Sequence, residues 1–196
     1  MKIIKYLLLA LPLTVSFSQY NYSLEDLNSS SETYGLNIGP EYFSDHVTLH
    51  YFGYFTWGTC TSRFGQLNNI YEDLKSQGYD VELIGVANGS QSSSSGNWTS
   101  SNNSPVCVDN VSGNAWSNWG ASQRDLFILN TDGDLVFHEN ITSGIPSDLD
   151  SMIIDLLRDD VFQPETKQQL QTAVDLWVSD SATALTNYGE INTWDV

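Results

Sequence analysis

Apolar and polar positions along this chain change period several times, and each change marks an element. From His46 to Phe55 the run HVTLHYFGYF alternates at period two, with Val47, Leu49 and Tyr51 on one face and Thr48, His50 and Phe52 on the other. Both faces are largely apolar from Leu49 on, which predicts a central strand covered on both sides. After Cys60 the pattern turns helical. Leu67, Ile70, Tyr71 and Leu74 stand at i, i+3, i+4 and i+7, and Gly78 supplies a C-terminal stop. Val81 to Val86 reads as a second buried strand. Residues 88–104 are rich in Ser, Asn and Gly and are expected to form a solvated loop or insert. Pro105 to Val108 is a short strand, and Asn114 to Ala121, with Trp116 and Trp119, a short helix. Leu126–Leu129 and Leu135–Phe137 are strands joined by Asn130-Thr131-Asp132-Gly133, whose Asp-Gly step signals a hairpin. Ser147-Asp148-Leu149-Asp150 opens a helix with Met152, Ile153, Leu156 and Leu157 on its apolar face.

The order is therefore β-α-β, insert, short β-α, then β-β-α. A strand–helix–strand crossover implies two parallel strands, and the later hairpin adds an antiparallel edge. The expected fold class is α/β, a mixed central sheet between helical layers, with a short helical appendage. The flanks are different in kind. Residues 1–18 look like a secretory signal: Met1 to Lys5 is basic, Tyr6 to Val15 apolar, and Ser16 and Ser18 precede a cut before Gln19. That apolar run is far short of the roughly 20 residues a membrane span needs. Residues 19–45 read as a polar, extended arm ending at Gly39-Pro40, and 46–160 as the folded domain. In 161–196, Pro164 breaks the chain before a helical stretch, Glu165 to Leu185, with Leu170, Ala173, Val174 and Trp177 in phase.

Charge narrows the partners. Seven basic residues stand against 24 acidic ones, a formal net charge of −17. Loss of Lys2 and Lys5 with the signal makes it −19. Such a surface repels phosphate backbones and anionic lipids, so nucleic acid and membrane are excluded as partners of the processed chain. Asn21, Asn28, Asn88, Asn97, Asn102, Asn110 and Asn140 begin N-x-S/T sequons, which matter only where exported proteins are glycosylated. His46, His50 and His138 have no metal-ligand spacing, and Asp132 and Asp134 flank a turn glycine without the other ligands of a calcium loop. No metal and no bound cofactor is expected.

The chemistry rests on two cysteines, Cys60 and Cys107. In an exported chain such a pair is either a disulfide or a functional couple. Cys60 falls where the first long helix begins, and unpaired N–H groups and the helix dipole favour a thiolate there. Three residues earlier stands Trp57. The frame Trp57-Gly58-Thr59-Cys60-Thr61-Ser62-Arg63-Phe64-Gly65-Gln66-Leu67 resembles the C-x-x-C-x-x-x-x-P-x-L motif of periplasmic thioredoxins, with Trp57 on the first cysteine and Gly65 on the proline. Arg124 to Gly133 looks like the P-T-x-F-x-I-D-x-D-G hairpin of the same redoxins, with Arg124 in place of the proline. Asp125 to Leu129 and Gly133 to His138 are similar to selenoprotein P. The resemblance covers about residues 33–160 and implies a thioredoxin-like fold.

With Trp57 in the first position, C-x-x-C exchange is impossible. The peroxiredoxin frame P-x-x-x-T-x-x-C puts its peroxide-reducing cysteine on Cys60 and its arginine on Arg124, an arginine that stabilises the thiolate and orients a peroxide oxygen. Its Pro and Thr fall on Gly53 and Trp57, so Thr56 or Thr59 would supply a hydroxyl only if the turn differs. Read alone, Arg124 is more often a surface ion-pair residue than a catalytic group, and Arg63, one helical turn from Cys60, either tunes it or belongs to a solvated helix face. Trp57 is either a plug over the site or a platform for a substrate backbone.

Cys60 has three readings: a reactive thiol, half of a Cys60–Cys107 staple, or an inert buried group. The first predicts an exported redoxin acting on a protein thiol or disulfide, or on a peroxide, with Cys107 as candidate resolving partner. The second predicts a non-catalytic binding or surface module. Electron donor and oligomeric state are not encoded in any motif. The segment from Thr166 to Val196, most of all from Leu170 on, resembles the lead-in to bacterial surface-protein repeats of the W-D-V-S-x-V-T-x-M type, which implies either a truncated gene product or a module once joined to such repeats.

Overall fold

A computed structural model describes residues 20–109, 114–158, 162–189, 191–194 and 196. The signal expected at 1–18 and the sequon at Asn110 lie outside these residues. The N-terminal arm forms an antiparallel ribbon, β1 (Leu24–Glu25) with β2 (Asn37–Ile38), followed by a 3-10 turn over Pro40–Phe43. Next come β3 (Val47–Gly53), α1 (Gly58–Ser76) and β4 (Val81–Asn88). The insert holds a 3-10 segment and the single turn α2 (Gly96–Thr99). β5 (Val106–Asp109), α3 (Ala115–Asn118), β6 (Asp125–Leu129), β7 (Leu135–Asn140) and α4 (Leu149–Arg158) complete the domain.

Five strands form one mixed sheet in the order β5-β4-β3-β6-β7. β3 and β4 are parallel, as the crossover through α1 requires, and β5 continues the parallel half. β6 runs antiparallel to β3, and β7 antiparallel to β6, across a turn where Gly133 adopts φ 80°. Strand parity sorts the side chains onto two cores. Val47, Leu49, Tyr51, Leu83, Val106, Leu126 and Ile128 pack with Cys60, Phe64, Leu67 and Leu74 of α1 and with Leu149 and Ile153 of α4. Phe52, Ile84, Val86, Cys107, Phe127 and Leu129 pack on the other face with Trp119 and with Tyr22, Leu24, Ile38 and Phe43 of the arm.

The arm is therefore part of the core, not merely a polar extension. Its anchor is Asp26, fully buried, whose carboxylate accepts from the N–H groups of Asn28 and Val106, both at 2.9 Å, and from Thr33 Oγ1 at 2.9 Å. Leu27 N donates to Val106 O, so the arm docks against β5. The short spacing of polar residues in 19–45 hides this, because four apolar groups scattered over a ribbon carry no helix or strand period.

The insert also departs from expectation. It is not simply solvated: Trp98 is fully buried, stacked on Phe64 at 4.5 Å and edge-on to Phe55 at 5.0 Å. Its indole lies in a slot made by two glycines. A Cβ on Gly85 would come within 3.0 Å of Trp98, and one on Gly53 within 2.9 Å. The C-terminal stretch expected as one helix is two, α5 (Lys167–Ser179) and α6 (Ser181–Tyr188). Asp180 leaves the helical region (φ −151°, ψ 84°) and its carboxylate accepts from Thr183 N, so it caps the second helix rather than continuing the first.

Candidate functional site

Antiparallel pairing brings distant segments to one end of the sheet. β3 ends at Gly53 and delivers the chain to α1; β6 starts beside that end, and Arg124 N donates to Phe52 O at 2.7 Å. β7 ends there too, since Asn140 pairs with Asp125. Cys60, Arg124 and residues 140–142 therefore meet, although 64 positions separate the first two.

Cys60 lies in the first turn of α1 and is fully buried among Tyr51, Phe55, Phe64 and their neighbours. The Arg124 guanidinium reaches it: Nη1 donates to Sγ at 3.9 Å, and Nε donates to Thr142 Oγ1 at 2.7 Å. Arg124 itself has φ 70°, a left-handed conformation uncommon for a side chain this large. Tyr51 Oη donates to the Cys60 carbonyl at 3.3 Å. Burial pushes the Tyr51 phenol well up, and negative charge at Cys60 adds to this, so Tyr51 stays a donor. Arg63 is not on a solvated face. Its Nε donates to Ile141 O at 2.9 Å and its Nη2 to Thr142 O at 3.1 Å, tying α1 to the end of β7.

The remaining predicted residues fall outside this cluster. Trp57 is 48% exposed and stacks on Tyr54 with ring centroids 5.5 Å apart, so it does not plug the thiol. Thr56 and Thr59 are exposed; Thr56 is paired with Gln91 of the insert through N–H···Oε1 (3.0 Å) and Nε2–H···Oγ1 (2.8 Å).

Cys107 is a correction. Both cysteines are free thiols, and Cys107 points into the opposite core, where its Sγ donates to Leu24 O at 3.7 Å. Burial raises its pKa well above the ordinary thiol value, and Asp26 and Glu25 add to the effect. The reason is parity: Val106 faces α1, so the next residue on the strand must face away. The structure thus holds Cys60 and Cys107 as free thiols in separate cores, with no staple between them.

What sequence reasoning missed is Thr142 and Asn140. Their only visible signal was a sequon, Asn140-Ile141-Thr142, yet the Asn140 amide is committed to Gln123 O at 2.9 Å and Asp125 Oδ1 at 2.7 Å. Among the described residues no group of three or more His, Cys, Asp or Glu side chains is arranged to hold a metal ion. Among them, too, no helix is long and apolar enough to cross a membrane.

No family model matches the sequence, and no curated protein matches it. Solved structures do match the fold. DsbF of MTB, in its mixed oxidized and reduced forms, is 16% identical with a TM-score of 0.56, covering 70% of this chain and 96% of its own. BsSco, a member of the Sco family of cytochrome c oxidase assembly proteins, is 13% identical with a TM-score of 0.57, covering 73% and 95%. The thioredoxin domain of a thiol-disulfide oxidoreductase from Bacteroides vulgatus is 12% identical with a TM-score of 0.54, covering 70% and 93%. A mixed sheet in this strand order, a cysteine in the first turn of the helix that follows its central strand, and likeness over nearly the whole of these structures give one conclusion: the chain has the thioredoxin-like fold.

Proposed function

We propose that this chain is an exported thiol redox protein in which Cys60 is the reacting sulfur and Arg124 the cation held beside it. The observation that carries the reading is the 3.9 Å approach of Arg124 to Cys60 in a chain with only seven basic residues. The structural neighbours add support, since one is a thiol-disulfide oxidoreductase and another was described for a disulfide switch.

The thiolate attacks a peroxide oxygen. An S–O bond forms, the O–O bond breaks, the sulfur gives up two electrons, and the leaving oxygen departs with a proton as water or an alcohol. The sulfenic acid then condenses with a second thiol, losing water to form a disulfide, which a third thiol reduces. With Cys107 on the other face of the sheet, both later thiols come from other molecules, a protein thiol or a small one. The same thiolate can open a disulfide, forming one S–S bond as it breaks another. Because Cys60 is buried, either reaction needs local opening at the start of α1.

A second reading, a non-catalytic binding or surface module, is favoured by two observations: Cys60 is fully buried, and Trp57 stands where the exchange cysteine would be. Rates of reduced protein with hydrogen peroxide and with iodoacetamide at neutral pH separate the two. In a redox protein Cys60 reacts faster than a peptide cysteine, and Arg124→Gln slows it about tenfold or more, the loss of one charge-assisted hydrogen bond. A Cys60 no faster than a peptide cysteine leaves the module reading standing.

A further inference from the structure

We propose that Thr142 is the positioning residue that aims Arg124 at Cys60; this rests on the reading of Cys60 as the reacting thiol. An arginine side chain has many rotamers, and a long contact to sulfur does not choose one. The Thr142 hydroxyl does. It accepts from Arg124 Nε at 2.7 Å and donates to Asn140 Oδ1 at 2.6 Å, so both its functions are used. The Asn140 amide is oriented in turn by its donations to Gln123 O and Asp125 Oδ1, and Asn140 Oδ1 also accepts from Thr142 N at 3.3 Å.

The backbone is held from both sides. Arg124 O accepts from Ile141 N at 2.9 Å, while Arg63 grips the Ile141 and Thr142 carbonyls from α1. The end of β7 is thus a rigid bracket presenting one hydroxyl to one guanidinium. Thr142 is itself exposed, so its hydroxyl can be removed without opening the core. Its hydroxyl bonds to Arg124 and Asn140, so it acts through Arg124.

The test compares alkylation of Cys60 by iodoacetamide in the full chain, at neutral pH and near pH 10. Thr142→Val should slow the reaction about tenfold at neutral pH. The loss should vanish near pH 10, where an ordinary thiol ionises unaided. Thr142→Ser should restore the wild-type rate. Arg124→Gln should match Thr142→Val, and adding Thr142→Val to Arg124→Gln should change nothing further. A Thr142→Val rate equal to wild type, a slowing of the same size at every pH, or an undiminished effect in the Arg124→Gln background would overturn the proposal. Thr142→Ala takes the same measurements if the valine variant fails to fold. Failure of the underlying reading looks different: wild type itself is then no faster than a peptide cysteine.

Discussion

His50 sits on β3 between two hydroxyls. Its Nδ1 shares a hydrogen bond with Tyr22 Oη at 2.7 Å, and its Nε2 with Thr48 Oγ1 at 2.9 Å. A neutral imidazole has one donor and one acceptor, which those partners satisfy. Burial lowers its pKa to about 3, while a histidine in the unfolded chain takes up its proton near 6.5. Between these values the unfolded state binds a proton that the folded state does not. His50 therefore costs no stability above about pH 6.5, and stability falls as pH drops from there toward 3, by at most about 1.4 kcal/mol per pH unit. His50→Gln keeps a donor and an acceptor but does not titrate. Denaturant midpoints measured from pH 7 to 4 should fall less steeply for His50→Gln than for wild type. Parallel slopes would place the acid sensitivity elsewhere.

At the scale of elements, the insert deserves to be counted with the sheet. Gln91 and Asn97 tie it to the turn before α1, and Trp98 seats it on the two strand glycines. Gly85 is there for space, not for backbone freedom: an added Cβ would come within 2.7 Å of the Phe64 ring as well. Gly85→Ala should therefore destabilise the protein by about 1–3 kcal/mol and alter its tryptophan fluorescence, because the indole must shift. Denaturant unfolding checks the first effect and the emission spectrum the second. An unchanged midpoint would mean that the insert yields freely.

For the molecule as a whole, the two thiols occupy separate cores divided by a sheet. Purified protein should melt at the same temperature with and without a strong reductant. A bridge closing so long a loop would instead lift the melting temperature of the oxidised sample, by about 3–4 kcal/mol of added stability. Intact mass after alkylation of the denatured, unreduced chain should show both cysteines labelled.

Much of this architecture was legible in the chain. Period two in Val47–Phe52, period 3.6 from Leu67 to Leu74, and the Asp132-Gly133 turn each report a local preference, and local preferences determined the strands, α1 and the hairpin. They also determined the order β-α-β, short β-α, β-β-α, and hence a mixed sheet. The site was legible only in part. Cys60 announced itself by its place at a helix start, and Arg124 only through a family frame. Strand parity could have separated Cys107 from Cys60, but only once β5 was known to lie beside β4. The burial of Trp98, the anchoring of the arm by Asp26, and the Thr142–Arg124–Cys60 chain carry no period, because their partners lie far apart in sequence. The sequence alone determined what each segment is. Tertiary structure alone decided which segment ends meet, because closure of a sheet is a long-range event that sets the neighbours of Cys60 without leaving a pattern around it.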